Sequence, residues 1–116
     1  MEKHKLVTNE RINIENILKD WYTSYDNQLE SIFVERFDKN DCKVTIFMAE
    51  KYFLRIKSNL TLTTIVERST YEIAVIVISS GGSSGMGFTL GAEKSAAQPI
   101  LDLLEKMAFI NSILNV

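Results

Sequence analysis

The chain has 116 residues, 46% hydrophobic and 24% charged, with a formal net charge of −2. Its length suits one domain (residues 1–116) with its own core, and its composition is that of a folded protein rather than a disordered one. The slight acidity argues against a dedicated nucleic-acid binder, and one cysteine (Cys42) with one histidine (His4) makes neither an intramolecular disulfide nor a Cys/His zinc centre.

Met1-Glu2-Lys3-His4-Lys5 carries no apolar leader core, so no secretory signal is expected. No run approaches the ~18 consecutive apolar residues of a membrane helix. With the lone thiol, these features predict a soluble, cytoplasmic protein. Lys5–Thr8 reads as a short strand. Ile14, Ile17, Leu18, Trp21 and Tyr25 then recur at helical spacing, which predicts a helix at about residues 13–25. Asn13 is its expected N-cap, and Glu15 suits the positive end of the helix dipole.

From Leu29 to Ser79 the period becomes two. Leu29–Phe37 is a strand with Leu29, Phe33 and Phe37 on one side and Ile32 and Val34 on the other. Asp38-Lys39-Asn40-Asp41 is a turn, because Asn and Asp tolerate tight backbone geometry. Cys42–Lys57 is extended. Its even row, Val44, Ile46, Met48, Tyr52, Leu54 and Ile56, is the expected core row, with Glu50 among it. Leu60–Arg68 alternates Leu60, Leu62, Thr64 and Val66 against Thr61, Thr63 and Ile65. Ser69-Thr70 connects it to Tyr71–Ser79, which is apolar on both sides and is expected to be a central strand.

All five glycines lie between Ser79 and the last helix, at Gly81, Gly82, Gly85, Gly87 and Gly91. That helix is expected to start near Ser95, where Ser95-x-x-Gln98 has capping-box spacing and Pro99 sits just inside the start. Ile100, Leu103, Leu104, Met107, Ile110 and Leu114 form its apolar face, with Phe109 and Ile113 roughly opposite. The predicted fold is a two-layer α+β domain: a four-stranded antiparallel meander with an N-terminal and a C-terminal helix on one face. The other face is expected to carry Phe47, Phe53, Ile65 and one side of Tyr71–Ser79. Such an uncovered apolar surface signals a partner. These residues, with Phe109 and Ile113, are the expected interface of a homo-oligomer.

Glu50-Lys51-Tyr52-Phe53-Leu54-Arg55, followed by Ser79–Gly82, Gly85, Phe88 and Gly91-Ala92-Glu93, resembles a family of small uncharacterised bacterial proteins. That family carries an E-K-Y-Y-x-R strand, an S-G-G-x-x-G loop and a G-A-E helix entry. Phe53 replaces the second tyrosine, and the early chain matches only in its helix–strand layout. The resemblance implies a bacterial origin and an intact domain. It supplies no mechanism.

A strand, a glycine-rich loop and a helix in that order is the arrangement that cradles phosphates elsewhere. Here Gly82-x4-Gly87-Phe88-Thr89 has Walker A spacing with Phe88 in place of the lysine, and Gly82-x-x-Gly85-x-Gly87 departs from the dinucleotide fingerprint. The loop is either a permissive crossover or an anion site formed by Gly81, Gly82, Ser83, Ser84, Gly85 and Gly87, closed by Lys51 or Arg55, with Glu50 as a further ligand contact. Lys51-Phe53-Arg55-Lys57 forms a basic stripe on one side of its strand. It is either a solvated face or a track for a phosphate backbone. Glu50 is either turned outward by a bulge near Ala49–Lys51, structurally paired, or a buried base. Ser79, Ser80, Ser83 and Ser84 lack a base and a nucleophile elbow, and Asp38 with Asp41 has too few donors for calcium.

The sequence therefore predicts a non-catalytic domain that self-associates and binds a protein or small ligand. The alternative is an anion- or phosphate-ligand module built on the glycine loop. No cofactor, metal site or membrane partner is expected.

Overall fold

The period-two segments form a single antiparallel sheet in the computed structural model, which describes residues 1–53, 57–81 and 91–111. Its strands are β1 (Glu2–Thr8), β2 (Glu30–Lys39), β3 (Cys42–Phe53), β4 (Ser58–Arg68), β5 (Ile73–Gly81) and the two-residue β6 (Ile110–Asn111). The order across the sheet is β2-β3-β4-β5-β1-β6. The predicted meander is present as β2 to β5. Among the described residues the strand count is corrected from four to six, because the N-terminal strand pairs along β5 and the chain after the last helix returns to pair with β1.

Two helices, α1 (Ile14–Thr23) and α2 (Ala92–Lys106), lie on the same face. α1 covers β3, and α2 covers β5, β4 and β1. Beneath them the strands contribute alternate residues: Leu6 and Thr8, Thr45, Phe47 and Ala49, Leu60, Leu62, Thr64 and Val66, and Ile73, Val75, Val77 and Ser79, all buried. Ile14, Leu18 and Tyr22 are the buried positions of α1, at i, i+4 and i+8. Tyr25, placed on the apolar face by the sequence pattern, falls after the helix in a short 3-10 turn and is 93% exposed. Tyr22 takes the core position instead. Its ring stacks on Phe47 at 5.4 Å, and its hydroxyl lies 2.7 Å from Thr64 Oγ1. Burial raises the Tyr22 phenol well above its ordinary value, against the opposing effect of the Thr64 hydrogen bond.

An ion pair fixes the start of α1. Arg68, at the end of β4, donates from Nε and Nη2 to Glu15 at 2.9 and 2.6 Å, and from Nη2 to the Ile12 carbonyl at 2.5 Å. Burial pushes the Glu15 carboxyl up, but the Arg68 hydrogen bonds and charge outweigh it and hold the group below the usual carboxylate range. Asn13 precedes α1 without a side-chain capping bond, so Glu15 and Arg68 secure this end instead.

The expected start of the second helix is also corrected. α2 begins at Ala92, after Gly91 with φ 79°, and Pro99 lies in its interior. Proline there cannot donate to the Ser95 carbonyl. Glu93 in the first turn replaces the expected capping box: its Oε2 accepts from the Gly81 N–H at 2.8 Å, tying the helix entry to the end of β5. The helix stops at Lys106. Ala108 adopts φ 69°, and Phe109 folds back into the core.

Two outcomes follow from this packing. Phe47→Ala should lower the unfolding free energy in urea by about 3–5 kcal/mol, while Ile46→Ala, one residue away on the opposite face, costs clearly less. The folded Glu15 carboxyl titrates below its ordinary value of 4.5. The unfolded chain therefore binds that proton first as pH falls, and the stability present above the ordinary value is lost as pH drops through the folded value. Glu15→Gln should flatten that acid limb in denaturation curves measured from neutral to acidic pH.

Candidate functional site

The residues between the buried ones point to the other face, and no helix covers it among the described residues. The register lays them out in rows running from β2 to β1. One row reads Phe37, Val44, Glu67, Ala74 and Val7, the next Glu35, Ile46, Ile65, Ile76 and Lys5, and the third Phe33, Met48, Thr63, Ile78 and Lys3. Glu30, Glu50, Thr61 and Ser80 continue the series. Phe33, Phe37 and Met48 are exposed, and Ile46, Ile65, Ile76 and Ile78 are half-buried. β-branched residues at the middle of a sheet are in their preferred backbone setting. Three isoleucines abreast on an uncovered face are a contiguous apolar patch.

Several sequence expectations change face here. Phe47 is 1% exposed beneath α1, and Phe53 packs on the helix side against Leu60, Ala92 and Ala96, so neither lies on the open face. The even row of β3, expected in the core, is the open row. Ile65 does lie on this face. Phe109 is buried within the chain, and Ile113 lies outside the described residues. Glu50 is half-exposed on the open side, opposite Glu30 and Thr61, with β3 unbulged there. The irregularity is in β2, between Glu30 and Phe33, where Ser31 takes φ 53°.

Of the expected anion site, Gly81, Lys51 and Glu50 are among the described residues: Lys51 and Gly81 flank Leu60 in one cross-strand row, and Glu50 points to the other face. Lys51 lies on the helix side with its Nζ 5.8 Å from the Phe53 ring centroid, on the opposite face from Glu50. Gly82, Ser83, Ser84, Gly85, Gly87 and Arg55 lie outside the described residues. The Gly81 amide is engaged by the Glu93 carboxylate, which also receives the Met1 amino group at 3.0 Å. A phosphate at that amide would meet a carboxylate already holding the position. Ser79, which the sequence leaves without a base or a nucleophile elbow, is fully buried on the helix side, and its hydroxyl has no hydrogen-bond partner among the described residues.

Chemistry-bearing clusters are sparse elsewhere. Among the described residues no three His, Cys, Asp or Glu side chains gather into a metal site. Glu15, Arg68 and Tyr22, whose ionisation the fold shifts, all serve to hold α1 on the sheet. A cleft of about 600 Å³ lies beside the α1–β2 connection, lined by Tyr25, Leu29, Ile32 and Tyr52. Among the described residues no helix is long and apolar enough to cross a membrane.

Architecture and surface together define an α+β domain whose sheet, among the described residues, is covered by helices on one side only. Residues 5–108 match the model of a family of unknown function, DUF6054, and the chain belongs to that family. The matched span runs from β1 through the end of α2. No curated protein and no solved structure matches the chain.

Because Glu93 holds the Gly81 amide, millimolar inorganic phosphate should leave the thermal unfolding midpoint unchanged. A concentration-dependent rise following RT ln(1 + [L]/Kd) would support an anion site on the loop.

Proposed function

We propose that this protein is a non-catalytic module that acts by self-association, with two copies covering each other's open sheet face. The observation that carries this reading is the Ile46–Ile65–Ile76 row at the centre of a sheet whose helices both lie on the far side. Burying such a row gains about 25 cal/mol for each Å² of apolar surface removed from water.

The size of the face fits a second copy. Its five longer strands, at about 4.8 Å spacing, and four rows about 6.8 Å apart give a footprint of roughly 600 Å². Specific protein interfaces bury about 800 Å² per partner. The sheet edges fit less well. β2 carries Glu30, Glu35, Arg36, Asp38 and Lys39 and is broken by its irregularity, and β6 at the other edge has two residues. Charges and bulges of this kind blunt strand-to-strand pairing between chains. Face-to-face packing is therefore favoured over a continuous sheet.

Sedimentation analysis at micromolar concentration tests the reading. The wild-type chain should sediment as a dimer, and Ile65→Asp should sediment as a monomer with an unchanged circular dichroism spectrum. A wild-type monomer across that range, or a dimer indifferent to Ile65→Asp, overturns it.

A further inference from the structure

Charge is distributed on the open face in a way that selects one arrangement of the two copies. The central row runs Glu35 on β2, Ile46 on β3, Ile65 on β4, Ile76 on β5 and Lys5 on β1: an acid, three isoleucines and a base. β4 is the middle of these five strands, so Ile65 marks the centre of the row. Within the chain, Glu35 and Lys5 are four strand spacings apart, about 19 Å, too far to pair. Neither takes part in an ion pair among the described residues.

We infer that two copies pack sheet against sheet about a two-fold axis running along β4, so that β2 of each lies over β1 of the other. This rests on the self-association reading and adds its geometry. Such an axis reverses the order of strands and keeps the rows. Glu35 then faces Lys5 of the second copy, Ile46 faces its Ile76, and Ile65 faces its own counterpart. The Glu35–Lys5 ion pair forms twice by symmetry, as an isologous interface requires. The next row places Phe33 over Lys3 of the second copy, a cation over an aromatic ring. A two-fold axis across the strands would instead set Glu35 against Glu35 and Lys5 against Lys5. Aligned sheets stack about 10 Å apart and within about 30° of each other, a gap that these long side chains span. Glu67, on β4, is the acid that this arrangement sets near its own counterpart.

Charge reversal tests the geometry in sedimentation equilibrium at low salt. Lys5→Glu and Glu35→Lys should each weaken the dimer about tenfold or more, since each replaces two attractive pairs with repulsive ones. The double variant should recover the wild-type constant, which also shows that the single variants fail by charge and not by misfolding. Glu67→Gln should tighten the dimer. If Ile65→Asp dissociates the dimer while both single reversals leave its constant unchanged, the self-association reading stands and this arrangement falls. A monomeric wild-type chain overturns both.

Discussion

Phe47 lies flat against Tyr22 between α1 and the sheet, and this contact sets the phase of the fold. Side chains alternate along a strand, so putting Phe47 inside commits Thr45 and Ala49 to the same side and turns Val44, Ile46 and Met48 outward. The register then carries that choice across the sheet: Phe47 pairs with Thr64, Thr64 with Val77, and Val77 with His4. Thr64 reinforces the choice by meeting the Tyr22 hydroxyl from the neighbouring strand. The open apolar face is the consequence. Two helices cover one side of the sheet, and the sequence places aliphatic residues on both.

The class of fold, the meander and the two helices on one side are legible in the alternation and helical spacing of the sequence. The face of β3 is not. Its even row, Val44, Ile46 and Met48, is more apolar than Lys43, Thr45, Phe47 and Ala49, so local hydrophobicity points the wrong row inward. What decides is the parity of the turns. Two residues separate Lys39 from Cys42, four separate Phe53 from Ser58, and four separate Arg68 from Ile73. Even-numbered connections place even residues of one strand beside odd residues of the next. The inward set therefore switches from Val34 to Phe47, to Leu62, to Val75. Had these parities been imposed, the clear alternation of Leu60 to Val66 would have assigned Phe47 to the core.

Helix boundaries were obscured for a different reason. Ser95-x-x-Gln98 and Pro99 imitate a helix start, yet α2 begins three residues earlier at Ala92. The deciding contact is long in structural terms and invisible locally: Glu93 reaches back across the glycine-rich segment to the Gly81 amide. Ala92, Ala96 and Ala97 allow α2 to lie close on the sheet, a role that small side chains do not advertise in a hydrophobicity pattern. Likewise Tyr22 outcompetes Tyr25 for the core because the helix ends at Thr23.

The proposed self-association gives the second face its use. In the proposed dimer the acid at one margin meets the base at the other, with the isoleucines between them, while the charged and irregular β2 edge discourages open-ended pairing. The most direct measurement is solvent paramagnetic relaxation of isoleucine methyls in the labelled protein as concentration is raised. The methyls of Ile46, Ile65 and Ile76 should relax strongly in dilute solution and lose that enhancement as copies associate, while Ile17 on α1 stays constant. Enhancement at the three methyls that is independent of concentration would contradict the account, as would three methyls already shielded in the isolated chain.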